Sequence, residues 1–94
     1  MITIVAKKTI KQGKLEEYKT LVEKLIDESR KEEGCISYNL FEDINNPNIL
    51  TFIEEWRSEE EIKLHNNSEH YTSIVPKGVD LQEGKTEVNL YKMI

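Results

Sequence analysis

The feature that most constrains this chain is the run from Ile49 to Arg57, Ile-Leu-Thr-Phe-Ile-Glu-Glu-Trp-Arg, which is apolar on both sides of an extended backbone. Successive side chains of a strand point to opposite faces, so Leu50, Phe52 and Trp56 fall on one side and Ile49 and Ile53 on the other. Such a strand belongs in the middle of a sheet, covered from both sides. With 94 residues, 37% of them hydrophobic, the chain has material for a single domain over residues 1–94 and a single core.

The hydrophobic period changes several times along the chain. Residues 2–10 alternate, with Ile2, Ile4, Ala6 and Ile10 against Thr3, Val5, Lys7 and Thr9, and predict a first strand. Lys11 to Lys14 is a turn around Gly13. From Leu15 the spacing becomes three and four: Leu15, Tyr18, Leu21, Val22, Leu25, Ile26 and Ser29 form the apolar stripe of a helix. Gly34 is expected to stop it in a left-handed conformation. Arg30 and Lys31 suit the negative end of the helix dipole, whereas Glu32 and Glu33 do not.

Cys35 to Asp43 alternates again, with Ile36, Tyr38 and Leu40 opposite Cys35, Ser37, Asn39 and Phe41; the turn formers of Asp43 to Asn48 then lead straight into the central strand as a hairpin. Ser58-Glu59-Glu60-Glu61 reads as a capping box opening a short helix through Ile62 and His65. Ser68 caps a second segment from Glu69 to about Val75, ended by Pro76. Residues 76–84 read as a loop, and Lys85 to Ile94 as the last strand. The order is βαββαβ, the α+β ferredoxin-like arrangement with a four-stranded antiparallel sheet. Helices cover one face of that sheet. The apolar remainder of the other face predicts a homodimer joined sheet to sheet.

Composition removes several functions. A net charge of −5, with Lys and Arg scattered along the chain, disfavours nucleic acid and anionic membranes, which require clustered cations. No apolar stretch is long enough for a signal or membrane segment. The single cysteine, Cys35, forms no internal disulfide and fits a reducing, cytoplasmic setting. The glycines form no phosphate-binding pattern. His65 and His70 are five positions apart, which does not align them on one helical face, and no third ligand recurs at metal spacing, so no metal is expected.

At Glu54-x-Trp56-x-Ser58, His65 and Ser68-x-His70, the chain resembles the antibiotic biosynthesis monooxygenase family of dimeric α/β-barrel proteins. Ser29-Arg30, Glu33-Gly34-Cys35-x-x-Tyr38 and Asn46-Pro47 extend the resemblance over essentially the whole chain. It implies a dimer whose sheets close into a barrel, a ligand cavity between sheet and helices in each subunit, and oxygenation of phenolic, quinol or polyketide substrates without metal, flavin or haem. Haem-degrading relatives are a poorer match. Their first-strand Asn is missing here, and His65 stands where they carry a second Trp.

Triplet oxygen attacks closed-shell molecules poorly, so a cofactor-free oxygenase needs a substrate that deprotonation makes electron-rich, an apolar cavity, and a group that takes the proton. Histidine, with an ordinary pKa of about 6.5, suits that role. His65, one turn after Ile62, is the candidate catalytic base, with a structural histidine as the plain alternative. Trp56, Phe52, Tyr71, His70 and Asn39 are the candidate substrate-binding residues, and a small phenolic aromatic and O2 the expected partners. An isomerase or lyase of a small oxygenated metabolite, like the autoinducer-processing relatives, and a non-catalytic ligand-binding dimer are the alternatives.

Overall fold

The computed structural model describes every residue from Met1 to Ile94. The elements are β1 (Ile2–Ile10), α1 (Leu15–Arg30), β2 (Cys35–Asp43), β3 (Asn46–Trp56), α2 (Glu59–Asn66), α3 (Glu69–Val79) and β4 (Gln82–Lys92). The strands form one antiparallel sheet in the order β2-β3-β1-β4. The doubly apolar strand is central, as its pattern requires. Its residues Leu50, Phe52, Glu54 and Trp56 are buried beneath the helices, while Ile49, Thr51 and Ile53 on the opposite face remain half-exposed in the single chain. Burying side chains as large as Leu50, Phe52 and Trp56 contributes roughly 1.5–3 kcal/mol each.

Helix α1 lays Tyr18, Val22, Leu25 and Ser29 onto the sheet, the stripe its spacing predicts. Gly34 plays a different part from the expected one: only Gly13 and Gly84 adopt positive φ. At Gly34 a Cβ would run into the side chain of Glu61, so glycine is required there for close approach. In β2, a register shift between Cys35 and Ser37 sets Cys35 opposite Trp56 and Tyr38 opposite Glu54. Cys35 therefore packs against the core with Tyr38, and Ile36 is left exposed, the reverse of simple alternation.

The hairpin is tighter than the turn-rich sequence implies. Asp43 Oδ1 accepts from the backbone N–H groups of Asn45 and Asn46 at 2.8 and 3.1 Å, and β3 starts at once. Helix α2 lacks the expected capping box, because Ser58 makes no side-chain cap and Glu61 turns instead toward Gly34 and Arg57. Ser68 does cap α3, its Oγ accepting from the Tyr71 N–H at 3.3 Å. Pro76 does not end that helix. It removes one backbone bond, but Ile74 and Gly78 still bury on the far side of it, Gly78 close against the Tyr18 ring. The expected loop over 76–84 is thus largely helix and strand.

No helix is long and apolar enough to cross a membrane.

Candidate functional site

Helices α2 and α3 are separate because the chain breaks at Asn67 and Ser68, and that break is what brings the two histidines together. His65 leaves the last turn of α2 and His70 the first turn of α3. Both rings reach the same atom, Glu32 Oε2, in the α1–β2 connection: His65 Nδ1 at 2.6 Å and His70 Nε2 at 2.8 Å. A carboxylate oxygen only accepts, so each ring nitrogen donates its proton to it. The sequence reading missed Glu32. The signal available was an acidic residue placed against the dipole at the end of α1, which local helix chemistry does not explain.

The bond to Glu32 orients the other side of the His65 ring. With the proton on Nδ1, Nε2 carries the lone pair. Nε2 has no partner within the protein, yet the only sealed polar side-chain atom without a partner is Ser29 Oγ. His65 Nε2 therefore opens to space, and that space is a cavity of about 250 Å³. The ring itself is clamped: its centroid lies 4.5 Å from the Trp56 ring, 5.1 Å from Tyr71 and 5.5 Å from Tyr38. Burial pushes the imidazole pKa below its ordinary value and the charge of His70 adds to this, while the bond to Glu32 and its charge pull the other way. The net effect favours the neutral ring.

The cavity lies between the sheet and the helices. Ile4, Ala6, Phe52, Val88 and Leu90 give it apolar walls, and Lys8, Glu54, His65, Asn66 and Tyr71 carry its polar atoms. Val88 and Leu90 are 54% and 55% exposed, so edge strand β4 forms its open side. Glu54 sits on the floor, 6% exposed, where Oε1 accepts from Trp56 Nε1–H at 2.9 Å. Burial raises its carboxyl to about 7, against the opposing pull of the Trp56 bond and the Lys8 charge.

Of the residues named from sequence, His65, Phe52 and Tyr71 line the cavity. Trp56, with no exposure, lies behind His65 and holds Glu54 and the imidazole in place without reaching the open space. His70 lies on the far side of Glu32, outside the cavity. Asn39 is paired with Ile53 on the sheet face away from the helices, and its Oδ1 accepts from Arg30 Nη2 at 2.9 Å. Burial pushes the Cys35 thiol up to about 11, which suits packing and not reactivity. Glu32, His65 and His70 also bring three donor atoms within 4.8 Å of one another, a carboxylate and two imidazoles of the kind that binds divalent metals. That third donor is what the spacing of the histidines alone did not reveal.

Comparison with known proteins identifies the relatives of the whole chain. The sequence profile described as antibiotic biosynthesis monooxygenase matches residues 1–77. YcnE of Bacillus subtilis, which carries the provisional name of a monooxygenase, is 34% identical over 88 residues, 94% of this chain and 93% of that one. A crystal structure of a conserved protein from Methanosarcina mazei Go1 is 40% identical and superposes with a TM-score of 0.95 over 97% of this chain and 90% of its own. A crystal structure described as an antibiotic biosynthesis monooxygenase is 30% identical, with a TM-score of 0.96 over 100% of this chain and 99% of its own.

Proposed function

This chain belongs to the antibiotic biosynthesis monooxygenase family, and from that premise we propose that it is a cofactor-independent monooxygenase acting on a small quinol-like or other phenolic aromatic with O2. The single observation that carries the reading is a neutral, clamped imidazole whose Nδ1–H is held by Glu32 and whose Nε2 lone pair opens into a mostly apolar cavity. That is the geometry of a general base for a phenol proton. His65 is the base, Glu32 is the positioning residue that sets its tautomer and stabilises the imidazolium once formed, and His70 holds the same carboxylate from the other side. Phe52, Val88 and Leu90 exclude water around the ring of the substrate.

The chemistry balances without an added reductant. Loss of the phenol proton to His65 leaves an electron-rich phenolate, which transfers one electron to O2 and recombines with the resulting superoxide to form a carbon–oxygen bond. Cleavage of the O–O bond with loss of the proton from that carbon gives the quinone. One oxygen atom enters the product, the other leaves as water, and the substrate supplies all the electrons. Glu54, with its carboxyl near 7 on the cavity floor, is placed to return a proton to the departing oxygen.

The functional unit is a homodimer through the uncovered sheet face, where Val5 and Ile53 pair across β1 and β3 and Phe41 and Tyr91 lie 49% and 54% exposed on the flanking strands. Sedimentation equilibrium gives twice the chain mass on this reading. A monomer at micromolar concentration refutes it.

The oxygen electrode tests the reaction class. A panel of quinols and naphthols is incubated with the protein aerobically and anaerobically: oxygen uptake matched to product formation supports the oxygenase. Turnover that persists without oxygen makes it an isomerase or lyase, and saturable binding without turnover makes it a binding module.

A further inference from the structure

The base at His65 and the acid at Glu54 leave unused the one lysine or arginine of the cavity, Lys8. Lys8 is the single charged member of the β1 row Ile4, Ala6, Lys8, Ile10, whose other members are buried and apolar. Its ammonium lies 5.0 Å from the Phe52 ring centroid and 5.9 Å from that of Tyr18. Those aromatic faces stabilise the cation, and Glu54 acts on it from beyond ion-pair distance. No carboxylate comes within ion-pair distance of it and it makes no hydrogen bond in the protein, so three N–H donors are directed into a half-buried space without an acceptor.

The backbone is built around this residue. The β1–β4 ladder runs regularly from Ile2 to Lys7 and resumes at Thr9, and the register shifts between them, so that Lys8 faces a bulge in β4. Gly84, at φ 67°, forms the bend, and Gln82 Nε2 braces it by donating to Thr86 Oγ1 at 2.9 Å. Bulges of this kind redirect a side chain. Here the bulge opens the sheet edge beside Lys8 and leaves Thr86 on the cavity wall.

The position of Lys8 along the sheet defines a length. His65 packs on Trp56, which pairs with Ile2, and Tyr38, another of its neighbours, sits opposite Glu54, which pairs with Ile4; Lys8 pairs with Leu50. At about 3.3 Å per residue those backbone positions are roughly 13–20 Å apart, and the Lys8 side chain shortens the gap by leaning over the ring of Phe52, the partner of Ala6.

We propose that Lys8 is an anion-binding subsite, so that the ligand of this cavity is a phenolic aromatic carrying an acidic group, a carboxylate or its equivalent, at the end remote from the hydroxyl that faces His65. The ammonium supplies the charge-assisted bonds that no protein group uses, Phe52 and Ala6 contact the ring between the two ends, and the net negative charge of the chain makes this cation a selective feature. The burial that lowers the Lys8 pKa is only partly offset by Glu54, in keeping with a cation that lacks its full complement of partners. The assignment rests on the phenol-site reading above, and its test separates the two.

Isothermal titration with 2-naphthol and 6-hydroxy-2-naphthoate isolates the acidic group, because the pair differs only in a carboxylate across the ring system from the phenol and neither compound requires turnover. The wild type is expected to bind the carboxylate at least about 10-fold more tightly. Lys8→Met is expected to abolish that preference while still binding 2-naphthol, and Lys8→Arg to keep most of it. Lys8→Gln replaces Lys8→Met if the latter does not fold by circular dichroism. Equal affinity of the wild type for the two probes, or a preference that survives Lys8→Met, overturns the subsite and leaves the phenol reading intact. Failure of the wild type to bind either probe at millimolar concentration overturns both.

Discussion

Two carboxylates of the site, Glu32 bonded to His65 and Glu54 on the cavity floor, are in opposite circumstances. Glu32, on the outer side, has a side chain 19% exposed and collects two imidazole N–H groups on one oxygen at 2.6 and 2.8 Å. Glu54, on the cavity side, is 6% exposed and has one bond, from Trp56. The difference teaches that a carboxylate's role here follows from its donors and its burial together. Two donors and a path to water make Glu32 an anchor that fixes the histidine tautomer. One donor in an apolar pocket makes Glu54 a group that titrates near neutrality, at about 7.

The largest effect is expected at His65. His65→Ala leaves Glu32 and Glu54 in place without a base, and kcat/KM for a quinol substrate should fall roughly 10²- to 10⁴-fold. A fall under about threefold in steady-state oxygen uptake would mean that Glu54 serves as the base, reversing the two roles.

Stability tests Glu54 next. Its folded pKa lies above the ordinary value of 4.5, so between about pH 4.5 and 7 the folded state binds the proton that the unfolded state has released. Stability is therefore highest below this window and is lost as pH rises through it, by on the order of 3 kcal/mol for a shift of this size. Urea unfolding at pH 4.5 and pH 8 should show this loss in the wild type. Glu54→Gln, which keeps an acceptor for Trp56 Nε1–H, should flatten it, and an unchanged pH slope would place the titrating group elsewhere.

Glu32→Gln comes third. The amide oxygen still accepts from one ring but its charge is gone, so kcat should fall roughly 10- to 100-fold with KM little changed. Nitrogen NMR of the imidazoles should show His65 losing its pure Nδ1–H tautomer. A kcat loss with that tautomer intact would make Glu32 structural.

The smallest effects belong to the helix starts that carry the two rings to Glu32. Ser68→Ala removes a cap that α3 uses and should cost about 1 kcal/mol, whereas Ser58→Ala removes a side chain that caps nothing and should stay within about 0.5 kcal/mol. Thermal unfolding of the pair measures the difference, and an equal cost would mean that the two helices are held alike.

Much of the fold was legible because it depends on local period. Alternation in residues 2–10 and three-four spacing from Leu15 placed both ends of β1 and the start of α1 within a residue, while α1 ends at Arg30, short of the stop expected at Gly34. Errors came where a tertiary neighbour outweighed a local rule. Pro76 reads as a stop, but the burial of Ile74 and Gly78 against α1 carries the helix past it. Gly34 reads as a left-handed cap, but its missing Cβ makes room for Glu61. Ser58 and Glu61 read as a mutual cap, and Glu61 was drawn elsewhere. Of the cavity, the sequence pointed to Phe52 through its place on the central strand and to His65 and Tyr71 through theirs in the helical stretch that follows it. It did not point to Lys8, whose meaning comes from a bulge in a strand distant along the chain.

By itself, the sequence determined the order of the elements, the central place of β3 and membership of the family, because hydrophobic period and motif spacing act over a few residues at a time. Only the tertiary structure decided that Glu32 meets His65 across 33 residues and His70 across 38 on a single oxygen. It also decided that Trp56 stands behind the site and Lys8 within it. Those outcomes depend on where a packed sheet and two separate short helices converge, and a burial environment exists only once the chain has closed around it.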